Sequence, residues 1–142
     1  MDAKLSLYAN IDPNLELRRD DGAALPEAVT LSYDPLRGFI PASQHVRIYS
    51  NDVDADIEVR LGHPVELVSD SGTRVPLTVS LNGTVLTVEA QNFNAEDLFD
   101  GGLPRASVSM PLTIKQATRG TTVEGRFEGS IGIMINQKAA AL

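Results

Sequence analysis

Turn-forming residues interrupt this chain too often for long helices. They fall at Asp20-Asp21-Gly22, YDPLRG (Tyr33 to Gly38), Ser50-Asn51-Asp52, SDSG (Ser69 to Gly72), Asn82-Gly83, Gly101-Gly102 and Arg119-Gly120. Gly reaches positive φ without a steric cost, and Asn or Asp side chains hydrogen-bond their own backbone in turns. Between the turns lie short β-rich runs: Leu15 to Arg19, Ala28 to Tyr33, His45 to Ser50, Asp56 to Leu61, Val65 to Val68, Val75 to Leu81, Thr84 to Ala90, Ala106 to Lys115 and Thr122 to Asn136. Many short strands separated by regular turns imply an all-β sandwich or barrel.

The firmest local signal is VPLTVSLNGTVLTVEA, in which Asn82-Gly83 joins two strand-like runs. Both residues tolerate the positive φ of a type I′ turn, so the segment is expected to form a hairpin. NFNAEDLF reads instead as one helical turn: Asn94 is placed to cap it, Glu96 and Asp97 favour its first turn, and Gly101-Gly102 ends it.

Both ends of the chain raise a pairing problem. From Lys4 to Asp12 the residues alternate, with Leu5, Leu7, Ala9 and Ile11 on one side and Ser6, Tyr8, Asn10 and Asp12 on the other. Pro13 lacks an amide donor and holds Asp12 extended, so the strand is cut off from the run that follows. RFEGSIGIMINQ, the last strand, puts Phe127, Gly129, Ile131, Ile133 and Ile135 on one face. It is among the most apolar runs, and little follows it to cover its edge. The N-terminal strand could pair within its own sandwich. Equally, it could complete the sheet of a second molecule by strand addition, which would build a head-to-tail polymer rather than a closed dimer.

Bulk properties narrow the field. A chain of 142 residues suits one domain with a real core. A formal net charge of -7 argues against nucleic-acid or anionic-membrane partners, which need clustered Lys and Arg. The absence of cysteine excludes disulfides, zinc thiolate sites and thiol catalysis, while leaving the redox compartment open. Met1 reads as a start codon ahead of a mature N-terminus, and Ala139 to Leu142 as a vector-derived tail.

Few residues suggest catalysis or ligand binding. NDVDADIE carries acids at Asp52, Asp54, Asp56 and Glu58, but it lacks the glycine and distal glutamate of an EF-hand and is expected to be a solvated strand face. His45 and His63 have no hydrolase partners at a telling spacing, and neither a GxSxG elbow nor a phosphate loop occurs. Tyr8, Tyr33, Tyr49, Phe39, Phe93, Phe99 and Phe127 lack basic interleaving and are expected to pack. No catalytic residue, metal or cofactor is expected, and no enzyme.

The order of several motifs resembles a known family. ANIDPNLELRRDDGAALPEAVTLSYDP, then SND at Ser50 to Asp52, VPLTVSLNGTVLT and EGRFEGSIGIMI are similar to colonization-factor antigen major pilins, the alpha class of chaperone-usher fimbrial subunits of Gram-negative bacteria. The resemblance implies an immunoglobulin-like β-sandwich lacking its C-terminal strand, completed by an N-terminal donor strand from a neighbouring subunit. It divides the chain into a donor strand (1–12), an incomplete pilin domain (13–138) and the tail (139–142). On this reading the donor side chains are Leu5, Leu7, Ala9 and Ile11, and the acceptor-groove strand presents Phe127, Ile131, Ile133 and Ile135. Burying the three large aliphatic donors is worth roughly 5 to 9 kcal/mol before ordering costs.

The resemblance also implies partners and a place. They are identical pilin subunits, a periplasmic chaperone and an outer-membrane usher during assembly, and a tip adhesin, with export through the periplasm to a fimbrium on the cell surface. The expected function is that of a structural major subunit polymerising by donor-strand exchange. The alternative is an adhesin module that binds a host glycan or protein.

Overall fold

The computed structural model describes residues 2–9, 14–122 and 124–138. In chain order its elements are β1 (Ala3–Ala9), β2 (Leu15–Arg19), β3 (Ala28–Leu31), β4 (Tyr33–Asp34), β5 (Gly38–Phe39), β6 (Ala42–Ser50) and β7 (Ile57–Leu61). They continue with β8 (Glu66–Ser69), β9 (Arg74–Leu81), β10 (Thr84–Leu86), β11 (Gln91–Phe93), α1 (Ala95–Phe99), β12 (Met110–Gln116) and β13 (Phe127–Gln137).

The strands form two layers. One runs β3-β1-β13, with β7 and β8 both on the far side of β13 and β11 on the outer edge of β7. The other runs β2-β6-β12-β9-β10. A β8-β9 ladder links the two, and β4 with β5 makes a small separate hairpin. Alternation does the sorting: β9 reads exposed or half-buried at every second residue and buries Val75, Leu77, Val79 and Leu81 between them. Leu5, Leu31, Phe127, Ile131 and Ile133 from the first layer join Val46, Ile48, Val79, Leu112 and Ile114 from the second in one buried cluster. Phe39 closes the end of that core, edge-on to Tyr33 at 5.0 Å and to Phe127 at 5.5 Å.

The expected hairpin is present: β9 and β10 pair Leu81 with Thr84, and Asn82 and Gly83 both have positive φ, 50° and 84°. The largest departures from the expected runs are three that fall several residues short of what the sequence suggests. Thr84 to Ala90 leaves its strand after Leu86, because the chain crosses there from the β9 layer to the β7 layer. Glu89 N donates to Thr87 Oγ1 in the bend, and Thr87 O accepts Leu61 N. Ala106 to Lys115 becomes regular only at Met110. Before it the fully buried Ser107 breaks the ladder, its hydroxyl accepting the Ile48 amide at 2.8 Å where a carbonyl would otherwise stand. Thr122 to Asn136 begins as strand only at Phe127; Thr122 is held instead by the Tyr33 hydroxyl.

Two local readings are corrected. Asn94 occupies the N-cap of α1 but makes no side-chain cap bond. Asp56 Oδ1 accepts the Ala95 amide at 2.8 Å from a distant part of the sequence, while Asn94 Oδ1 accepts Asn92 Nδ2. Nor do the four acids share a strand face. Only Glu58 lies in β7, and Asp52 through Asp56 form a turn in which Asp52 Oδ1 accepts the Asp54 amide. A side chain that can satisfy a nearby amide favours a turn over a regular ladder.

Candidate functional site

The place where β1 lies is the candidate site. β1 is the sole link between β3 and β13 among the described strands, antiparallel to β3 and parallel to β13. Its register sets Ala3 beside Phe127, Leu5 beside Gly129, Leu7 beside Ile131 and Ala9 beside Ile133. Leu7 N also donates to Glu27 O at 2.9 Å, extending the grip on the β3 side. The edge of β13 that the sequence leaves uncovered is therefore occupied by a strand of the same chain.

Most of the expected donor residues meet the expected groove. Leu5 is fully buried and Leu7 nearly so, and Ala9 is partly buried against the same core. Ile11 and Pro13 lie outside the described residues. Phe127, Ile131 and Ile133 receive β1 directly, whereas Ile135 lies beyond it, buried and paired with Val59 of β7. Burying Leu5 and Leu7 stabilises the closed groove by roughly 3 to 6 kcal/mol.

Sequence reading missed three parts of the site. Ala3 is fully buried and shares the parity of Leu5 and Leu7, a signal that its small side chain obscured. The whole of β3 serves as the second wall, which no local pattern announces. On the outer face Tyr8 lies across Gly132: a Cβ there would stand 2.6 Å from the tyrosine ring. A glycine in an otherwise bulky strand is the hint, since it often marks a close approach by a ring or backbone. Gly129 is similarly tight, with Glu66 O at 2.4 Å and Leu5 Cδ2 at 3.0 Å from such a Cβ.

The histidines sit apart from one another. His45 is exposed on β6, and His63 is half-buried with Nε2 3.3 Å from the Ser130 hydroxyl. Chemically, the groove offers an apolar trough and two strand edges rather than converging polar groups. It can hold an extended amphipathic strand.

Known proteins resemble this chain over nearly its whole length. The family model described as CS1 type fimbrial major subunit matches residues 1–136. A CFA/I fimbrial subunit of Escherichia coli is 30% identical, over 95% of this chain and 84% of that protein. A CS1 fimbrial subunit of Escherichia coli is 26% identical, over 94% and 83%. Among solved structures, the CooA pilin subunit from enterotoxigenic Escherichia coli superposes with a TM-score of 0.77 at 21% identity, covering 92% of this chain and 91% of that one, and so shares the immunoglobulin-like sandwich.

Proposed function

Because the chain belongs to the family of CS1-type fimbrial major subunits, whose members are structural and not enzymes, we propose that it polymerises head to tail by donor-strand exchange. In this reading residues 1–12 of one copy are the donor strand, and the β3-β13 groove of the next copy is the acceptor. A periplasmic chaperone holds the groove before assembly, an outer-membrane usher directs the exchange, and the fibre, ending in a tip adhesin, stands on the cell surface.

One observation carries the reading: β1 is bound to the rest of its domain as a guest strand would be. It contributes one strand's worth of ladder and an apolar face between two edges that otherwise do not pair. An identical strand from another copy offers the same apolar side chains, so exchange conserves much of the buried surface. The monomer fills its own groove, and the polymer fills its neighbour's.

The test is to delete residues 1–12, or to make Leu7→Asp, and follow assembly by size-exclusion chromatography and electron microscopy. Both changes are expected to abolish fibres, since a carboxylate at a site 5% exposed must be desolvated without a partner. Fibres formed by either variant would contradict the reading.

A further inference from the structure

The two ends of the sandwich differ in charge, and the strand pairings say which residues sit at each. At the end where β1 and β13 begin, the β4-β5 hairpin and the exit of β12 border a cleft of about 530 Å³. Phe39, Ile40 and Pro41 supply its apolar lining, and Arg37, Lys115 and Arg119 its cations. Those three cations are exposed, as are Leu36 (88%) and Ile40 (49%). Among the described residues lining the cleft Asp34 is the one acid, and its Oδ1 accepts the Leu36 amide within the hairpin turn. Asp70 and Glu124 belong to the β8-β13 corner of the same end.

The opposite end is acidic. β13 finishes there beside Ile57, and Gln137 Nε2 donates to Ser50 Oγ and Asn51 Oδ1. Asp52, Asp54 and Asp56 occupy the turn before β7, and Asp56 holds the start of α1, which brings Glu96, Asp97 and Asp100 alongside. Arg105 and Lys138 are the cations at this end among the described residues, and Val53 (39%) and Leu103 (50%) are its exposed large apolar side chains.

We propose that the cationic cleft beside the β4-β5 hairpin receives the acidic end of the next copy of this chain. The proposal rests on the donor-strand reading and deepens it. β2 starts at the acidic end, with Leu15 paired to Ser50, so a β1 released from its own groove projects from that end. In a head-to-tail array the body it meets presents the end carrying the cationic cleft. Entering there, the strand leaves Ala9 near the neighbour's Phe127 and carries Ala3 inward. It then runs antiparallel to β13, the reverse of its direction within its own chain. Opposite charges bordering exposed apolar side chains on the two facing ends steer that approach and fix its orientation.

The test follows assembly of the full chain by light scattering and electron microscopy, at low salt and near 1 M salt, where the Debye length is about 3 Å. The variants are Arg37→Glu with Arg119→Glu, Asp54→Lys with Asp97→Lys, all four together, and Arg37→Ala with Arg119→Ala as a milder form. All four positions are exposed, and thermal melts check that each variant folds. Each charge-reversed pair should slow assembly by about tenfold at low salt, with the four-site variant recovering and the differences vanishing in high salt. Wild-type rates for both pairs, with Leu7→Asp still blocking fibres, would overturn the end-to-end contact and leave strand donation standing. Assembly of Leu7→Asp itself would remove the premise and the proposal with it. Normal assembly of Arg37→Glu with Arg119→Glu, coupled to lost binding of a sulfated oligosaccharide, would make the cleft a ligand site and overturn the contact.

Discussion

The β9-β10 hairpin and the β1-β13 pair are both strand pairs, yet they are specified in different ways. In the hairpin, pairing, register and direction all follow from two turn residues at positive φ between alternating runs. In β1-β13, alternation fixes only which faces are buried, while partner and direction depend on the rest of the sandwich. A strand held by a turn must stay with its neighbour. A strand held only by its face and edges can be replaced by another of the same pattern.

Substitutions can sharpen that contrast. The largest effect is expected for Leu7→Asp, which should destabilise the monomer by about 3 kcal/mol or more, from lost burial plus an unpaired buried carboxylate. Val85→Asp on β10, half exposed, should change stability by only about 0.5 kcal/mol, and denaturant titration of both compares the two pairs directly. Gly132→Val comes next, at about 1 to 3 kcal/mol, because its side chain collides with the Tyr8 ring. Adding Tyr8→Ala should recover part of that loss; equal losses with and without the tyrosine would show that the collision is not the cause.

Smaller effects test the hairpin and the long-range cap. Gly83→Ala should cost about 1 kcal/mol, because alanine is strained at φ 84°, while leaving fibre formation intact. Asp56→Ala removes the acceptor of the Ala95 amide and should cost about 0.5 to 2 kcal/mol, whereas Asn94→Ala should cost little. If Asn94→Ala proves the more damaging of the two, the assignment of the cap is wrong.

That last pair shows where sequence reading stops. The helix itself is legible in Asn94 to Phe99, but its amide is satisfied by Asp56, which no local pattern identifies. The alternating acids read as a strand because spacing alone cannot reveal that Asp52 bonds the Asp54 amide and turns the chain. Ser107 likewise looks like one more strand residue until its hydroxyl is seen to replace a carbonyl beside β6. By contrast, Leu5, Leu7, Phe127, Ile131 and Ile133 were legible as two apolar faces needing cover. Which of the two open pairings the strand takes, and that it runs parallel to β13, is not legible, because partner and direction are set by topology rather than by side-chain pattern.

On the donor-strand proposal, the strand filling a pilin's own groove is the one it gives away. The chain has no cysteine, so a single introduced pair can lock that strand. Ser6 and Ser130 are register partners in β1 and β13, and neighbouring strands lie about 4.8 Å apart, within the span of a disulfide. The measurement is fibre formation by Ser6→Cys with Ser130→Cys, oxidised as the monomer and then reduced. If β1 must leave its own groove to polymerise, the internally cross-linked form gives no fibres and reduction restores them. Assembly at the wild-type rate with the internal disulfide intact would contradict that proposal.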